Sequence, residues 1–160
     1  YYGPVPQDFG DASLVIEHLF DNPRIIVGRP NHPLRAATSL RQLANESWVT
    51  SQMAMSADGE VSSIFEAAGL PVPQIAMEAG SGMSLISIVK SSDLIAPLSA
   101  QWLDFLDKSG VLERFHVRDI PNAPPICAVR RGAMPLTPAA EYWNDLATRF
   151  AGHRPHRELN

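Results

Sequence analysis

The sequence of 160 residues has a single cysteine, Cys127, so it can form no internal disulfide and no multi-cysteine zinc or iron–sulfur site. It has no excess of positive charge. Thirteen Lys and Arg stand against seventeen Asp and Glu, a formal charge of −4, so nothing draws the chain as a whole to nucleic acid or to an anionic membrane. It has no long apolar run either. Leu85-Ile86, Ile88-Val89 and residues 94–97 fall far short of the ~20 residues that span a bilayer. The opening residues do not read as a secretory leader, having no basic stretch followed by an apolar one. With 45% hydrophobic and 19% charged residues, disorder, collagen and coiled coil are poor descriptions. What remains is one mixed domain's worth of soluble chain in a reducing compartment, expected in the cytoplasm.

Enzyme signatures are also missing. There is no G-x-x-x-x-G-K-[ST] phosphate loop and no G-x-S-x-G nucleophile elbow. Gly80-Ser81-Gly82 begins like a dinucleotide fingerprint, but Leu85 occupies the third glycine position. Asp8-Phe9-Gly10 matches a kinase tripeptide without the other kinase motifs. His18, His32, His116, His153 and His156 show no metal-ligand spacing beyond a weak pair in the tail. Cys127 sits in an apolar run and reads as a small buried hydrophobe rather than a nucleophile. The expectation is no catalysis, no metal and no cofactor.

Residues 1–10 carry two prolines and two glycines and read as loop or linker. Short runs at 14–19 and 24–28, rich in β-branched residues, and further ones at 47–50, 74–78, 93–97, 111–120 and 126–130 read as strands. Between them lie helical patterns. Thr38 is the expected N-cap of a short helix burying Leu40 and Leu43. Over 59–68, Val61, Ile64, Phe65 and Ala68 share one face, with Gly69 at C′ and Pro71 and Pro73 blocking continuation. Gly80-Ser81-Gly82 opens a helix with the stripe Leu85, Ile86, Ile88 and Val89, and residues 99–108 form another around Trp102, Leu103 and Leu106. The last helix has Thr137 as cap, Pro138 at N1 and Ala139, Trp143, Leu146, Ala147 and Phe150 on one face; Gly152 ends it before a frayed tail. Strand and helix alternating every 10–15 residues imply an α/β fold with a mostly parallel sheet.

In such folds ligands lie at the carboxyl ends of parallel strands, where free N–H groups and helix amino ends point outward. Two segments fall there: Thr50, Ser51, Gln52 and Met53 after one strand, and Gly80, Ser81, Gly82 and Met83 between a strand and a helix. Their hydroxyls, amides and carboxamide suit a carboxylate, sulfonate or polyol, although Ser51 and Ser81 would look the same if they only capped helices. At Asn31-His32-Pro33-Leu34 the imidazole is expected to tie back to the backbone of a turn.

The run Asn22-Pro23-Arg24-Ile25-Ile26-Val27-Gly28-Arg29-Pro30-Asn31-His32-Pro33-Leu34, followed by Ser39-Leu40-Arg41-Gln42-Leu43 and Ser47-Trp48-Val49, resembles the effector-binding domain of LysR-type transcriptional regulators. The order continues through Ala68-Gly69-Leu70, Ile88-Val89, Val129-Arg130-Arg131-Gly132 and Pro135-Leu136-Thr137-Pro138, so the resemblance spans about residues 14–150. Lys90-Ser91-Ser92-Asp93-Leu94 replaces the Gly-rich segment of many members and looks like the branch regulating sugar-binding-protein and aromatic sulfonate genes.

The resemblance implies a periplasmic-binding-protein-like fold of two α/β subdomains joined by crossing strands, with an inducer in the cleft. The second subdomain would cover 21–118; the first, incomplete in this chain, would cover 1–20 and 119–160. Carried over, inducer contacts fall on Thr50, Ser51, Gln52 and Met53 and on Gly80, Ser81, Gly82 and Met83. It also implies a small-molecule inducer, DNA binding only through a winged helix-turn-helix outside these residues, and a homodimer or homotetramer, with helix 59–68 a candidate contributor although core packing explains its apolar face equally well. The alternatives are a fragment of a periplasmic solute-binding protein and a small enzyme of the same architecture.

Overall fold

Arg24–Gly28, a run of four apolar or small residues after an arginine, is too short for a helix and fully buried beyond its first residue, and it forms the inner strand of a sheet. The computed structural model describes residues 2–4, 13–51 and 59–152. They fall into two units, Tyr1–Asn22 with Pro124–Asn160 and Pro23–Ala123. Unit 2 has a mixed sheet. Arg24–Gly28 (β3) pairs antiparallel with β6 (Ala96–Ser99) on one side and β7 (Glu113–Phe115) on the other. Next to it, β4 (Ser47–Ser51) and β5 (Gln74–Ala79) pair in parallel, with Trp48 opposite Ile75 and Ser51 opposite Ala79. Ile95 bridges to Trp48 in parallel and joins the two pieces.

The mostly parallel sheet expected from the alternation is therefore corrected. Of the registered pairs only β4–β5 is parallel, apart from the Ile95 bridge. Periodicity identifies strands, but direction is set by how each connection returns across the sheet.

Helix α1 (Gly59–Ala67) buries Val61, Ile64 and Phe65 as its spacing requires, whereas Ala68 is exposed beyond its end. Gly69 adopts φ 66°, and Leu70 N–H reaches Phe65 O at 2.8 Å while Gly69 N–H reaches Glu66 O at 2.9 Å. This is a Schellman closure, with Leu70 packed on the core as its apolar contact. Helix α2 (Gly82–Lys90) buries Leu85, Ile86 and Val89. A 3-10 turn, Ala100–Trp102, leads into α3 (Leu103–Ser109), which replaces the single helix expected over 99–108. The short helix after Thr38 is also 3-10, Leu40–Leu43, with Ser39 as N-cap one residue later than expected. Gln42 Oε1 accepts the amides of Thr38 (2.7 Å) and Ser39 (3.2 Å) and turns the cap inward.

The core of unit 2 gathers Ile26, Leu40, Leu43, Trp48, Val61, Ile64, Phe65, Ile95 and Phe115, each at most 1% exposed. His32 is buried against it. Its Nδ1 accepts Leu34 N–H at 3.1 Å, its Nε2 meets Asp93 O at 3.0 Å, and its ring lies 5.2 Å from that of Phe115. This is the backbone-tied turn read from Asn31-His32-Pro33-Leu34, helped by Asn31 at φ 58°.

In unit 1, β8 (Ala123–Arg131) lies between β1 (Tyr2–Pro4) and β2 (Leu14–Asn22), and β1 runs antiparallel to it with Tyr2 opposite Ala128. Residues 2–4, expected as loop, are thus strand. Pairing with 126–128 outweighs the poor strand propensity of Gly3 and Pro4. The strand expected at 126–130 likewise begins earlier, at Ala123, as β8. Helix α4 (Pro138–Gly152) is capped by Thr137, whose Oγ1 accepts Ala140 N–H at 3.3 Å, and it packs on β2. The strip it half-buries is Ala140, Asn144, Ala147 and Ala151, while Trp143, Leu146 and Phe150 stay 60%, 40% and 75% exposed. Of the apolar face expected for this helix, only Ala147 is half-buried. Small residues allow the close approach to β2, and the bulky ones point aside.

Candidate functional site

Thr50 and Ser51 end β4, and the parallel register sets them beside Glu78 and Ala79, the last residues of β5. The chain then turns through Gly80 and Ser81 into α2, so the two predicted segments meet at one edge of the sheet. Gln52 and Met53 lie outside the described residues.

The six described candidates differ in what they offer. Ser81 is a helix cap. Its Oγ accepts Ser84 N–H at 3.1 Å and its own N–H reaches Ser84 Oγ at 3.0 Å. For Ser81 the capping role that the sequence left open is the observed one, in a Ser81-x-x-Ser84 capping pair. The first backbone bond of α2 is Leu85 N–H to Ser81 O at 3.0 Å, so the amides of Gly82 and Met83 have no partner within the helix. Those two N–H groups sit at the positive end of α2 and suit an anion or a lone pair. A Cβ on Gly82 would come within 3.2 Å of Trp102 Cζ2, so the glycine makes room for the indole; at Gly80 nothing lies within 4 Å. Met83 is 60% exposed.

Thr50 is the unusual one. It is 5% exposed, and its Oγ1 has no hydrogen-bond partner among the described residues. Leaving such a hydroxyl unsatisfied costs about 1–3 kcal/mol. The amino end of α1 adjoins it: a Cβ on Gly59, which stands at φ 80°, would lie 3.5 Å from Thr50 Oγ1. Gly59 and Glu78 reach this edge only through helix placement and strand register, which are tertiary facts that no local pattern carries.

Beyond Gly59, Glu60 meets Arg24 Nε at 2.9 Å, with side-chain exposures of 19% and 9%. Burial raises the Glu60 carboxyl above its ordinary pKa of 4.5, and the Arg24 charge and hydrogen bond oppose but do not cancel this. A folded-state value above the unfolded one contributes stability that is complete below the unfolded value and lost as pH rises through the folded one. Wild type should therefore lose stability relative to Glu60→Gln as pH rises from 4 to 7, a trend that denaturant titrations at stepped pH will read. A constant gap would refute it.

Among the described residues no group of three or more His, Cys, Asp and Glu side chains converges as a metal site requires. Cys127 is buried, and burial raises its thiol pKa, which suits the hydrophobe read from the sequence. His153 and His156 lie outside the described residues. A recess of about 160 Å³ opens elsewhere, in unit 1, between α4 and the strands β2 and β8. Its walls are mainly apolar, with Val15, Ala128, Leu136 and Trp143, and the candidate residues do not line it.

A mixed sheet packed with helices, its polar groups collected where the parallel strands end, defines an effector-binding α/β domain of the periplasmic-binding-protein-like type. The chain belongs to the LysR substrate binding domain family, whose model matches residues 2–151. It is similar to the effector binding domain of QuiR, solved in complex with shikimate: TM-score 0.73, 14% identity, 94% of this chain and 70% of that one covered. The regulatory domain of CcmR from Synechocystis PCC6803, in complex with 2-PG, gives a TM-score of 0.76 at 17% identity over 96% of this chain and 73% of that one. The regulatory domain of MexT, a transcriptional activator in Pseudomonas aeruginosa, gives 0.71 at 17% identity over 94% and 70%. At these identities the likeness to solved structures is one of fold. The family match makes the chain an effector-binding domain of LysR type and favours that over the solute-binding alternative. Among the described residues no helix is long and apolar enough to cross a membrane.

Proposed function

We propose that this chain senses a small polar or anionic metabolite through unit 2, with Thr50, Ser51 and the amides of Gly82 and Met83 as contacts, and that it binds without breaking bonds. In this reading Gln52, Met53, Gly80 and Ser81 are further ligand contacts, and residues 21–118 are the second of two subdomains. The sensed signal passes to a DNA-binding domain outside these residues, in a cytoplasmic homo-oligomer. The observation that supports it most is the buried hydroxyl of Thr50, which lacks a partner among the described residues at the end of a parallel strand. A polar group kept at such a cost is what a ligand would satisfy. Regulation needs the ligand to bind one arrangement of the domain better than another, and coupling of this kind is usually about 1–3 kcal/mol.

The test is a thermal-shift panel of organic acids, sulfonates, sugar acids and polyols. Shikimate and 2-PG, the ligands in the QuiR and CcmR domain structures, head the panel. At least one class should raise the melting temperature of wild type. Thr50→Val, which keeps the shape and removes the hydroxyl that has no partner among the described residues, should melt higher than wild type without ligand, by about 1 kcal/mol of stability, and should lose most of the ligand-induced shift. No shift from any class, or turnover of any compound, would overturn the reading.

A further inference from the structure

The two units exchange the chain twice, at Asn22–Pro23 and at Ala123–Pro124. Both crossings adjoin one side chain. Arg24 is the second residue after the first crossing, and its Nη1 donates to Pro121 O at 3.2 Å and to Asn122 O at 3.3 Å, just before the second. Its Nε donates to Glu60 at 2.9 Å. A guanidinium only 9% exposed, opening a strand whose other residues are apolar, has no evident packing purpose there. Its fork does what a planar five-donor group does best: it holds three acceptors from two separate segments, Glu60 of α1 and the adjacent carbonyls of Pro121 and Asn122, at once. The neighbouring chain is fixed as well. Pro23 O accepts Ala100 N–H at 2.8 Å, and Asp119 Oδ1 accepts Leu40 N–H at 2.8 Å. The stretch between Asp119 and Ala123 is thus held to unit 2 from Leu40 and from Arg24.

We propose that Arg24 is the clasp of the interunit hinge, a positioning residue that ties the two crossing segments together, and that Glu60 connects this clasp to the end of α1 that adjoins Thr50. The clasp stands on hydrogen bonds within unit 2 alone. Its link to effector binding rests on the function proposed above. Ligand contact at Thr50 would press on Gly59, and the next residue, Glu60, would carry the displacement through Arg24 to both crossings. By contrast, Arg29, near the other end of β3, meets Asp93 at 2.6 Å on a 69% exposed carboxylate and touches neither crossing.

The experiment uses the full chain without ligand, so its outcome does not depend on the effector reading. Cys127→Ala is the background, and spin labels are placed at Asp145→Cys in unit 1 and Lys108→Cys in unit 2, both exposed positions. Pulsed electron spin resonance then gives the distribution of distances between the units. Arg24→Met and Arg24→Lys should each widen it at least twofold; lysine keeps the charge but cannot span three acceptors. Glu60→Ala should widen it, and Glu60→Gln, which retains an acceptor for Nε, should restore the wild-type width. Arg29→Met should leave it unchanged. If Arg24→Met does not fold, Arg24→Lys and the Glu60 pair decide. A width unchanged in the Arg24 variants, even with a lowered melting temperature, overturns the proposal, as does equal widening by Arg29→Met.

Discussion

Trp48→Ala is expected to cost unit 2 about 4–6 kcal/mol, a large fraction of the stability of an ordinary domain, which is roughly 5–15 kcal/mol. The indole is fully buried in β4, opposite Ile75 and bridged to Ile95, where the parallel and antiparallel parts of the sheet join. Phe65 of α1 meets it edge-on, with ring centroids 5.2 Å apart at 82°. Truncating a buried Trp or Phe to alanine typically costs ~3–5 kcal/mol through lost transfer energy and the cavity left behind. Trp48 Nε1 also donates to Leu43 O at 3.2 Å in the interior, so the variant orphans a carbonyl, adding about 1 kcal/mol. Trp48→Phe keeps most of the ring and loses the hydrogen bond, and should cost about half as much. Guanidinium titrations followed by circular dichroism will read both. A loss below about 2 kcal/mol for the alanine variant would mean that the join between the two parts of the sheet lies elsewhere.

Gly28→Ala adds one methyl group and is expected to cost about 2–3 kcal/mol. Its Cβ would stand 2.6 Å from Phe115 Cζ and 2.9 Å from Cε1, distances that require the ring or the backbone to move. Neither moves easily. Gly28 pairs with Glu113 across β3–β7, and Phe115 is 1% exposed in the core with His32 against it. Overfilling a packed site typically costs ~1–3 kcal/mol, and a clash with a ring confined on several sides belongs at the upper end. The compensating change is Phe115→Leu, which has no atom at the Cζ position. The double variant should therefore lose at least 1 kcal/mol less than the sum of the singles, a coupling that a double-mutant cycle measures directly. Additive losses would show that the methyl group is accommodated some other way.

Local chemistry made much of unit 2 legible. The period of Val61, Ile64 and Phe65 followed by Gly69 and two prolines describes a helix, its buried face and its end without any partner. The Asn31-His32-Pro33-Leu34 turn could be read because the bonds of His32 begin with its own neighbour, Leu34. Residues 2–4 could not be read as strand, since only pairing with 126–128 makes three residues containing glycine and proline extend. The candidate site was half legible. Strand ends followed by Ser, Thr and Gly located the edge, but they could not distinguish Ser81, whose hydroxyl is committed to Ser84, from Thr50, whose hydroxyl has no partner among the described residues.

The sequence by itself determined the charge balance, the want of enzyme motifs, the positions of most helices and strands, and the ordered run from Asn22 to Val49 by which its family can be recognised. These depend on residues close together along the chain. Only the tertiary structure decided strand direction, which face of α4 meets β2, and the meeting of Arg24 with Glu60 and the carbonyls of Pro121 and Asn122. Those contacts join residues 36 to 98 positions apart, and no local propensity encodes which buried donor will face which acceptor once the sheet closes.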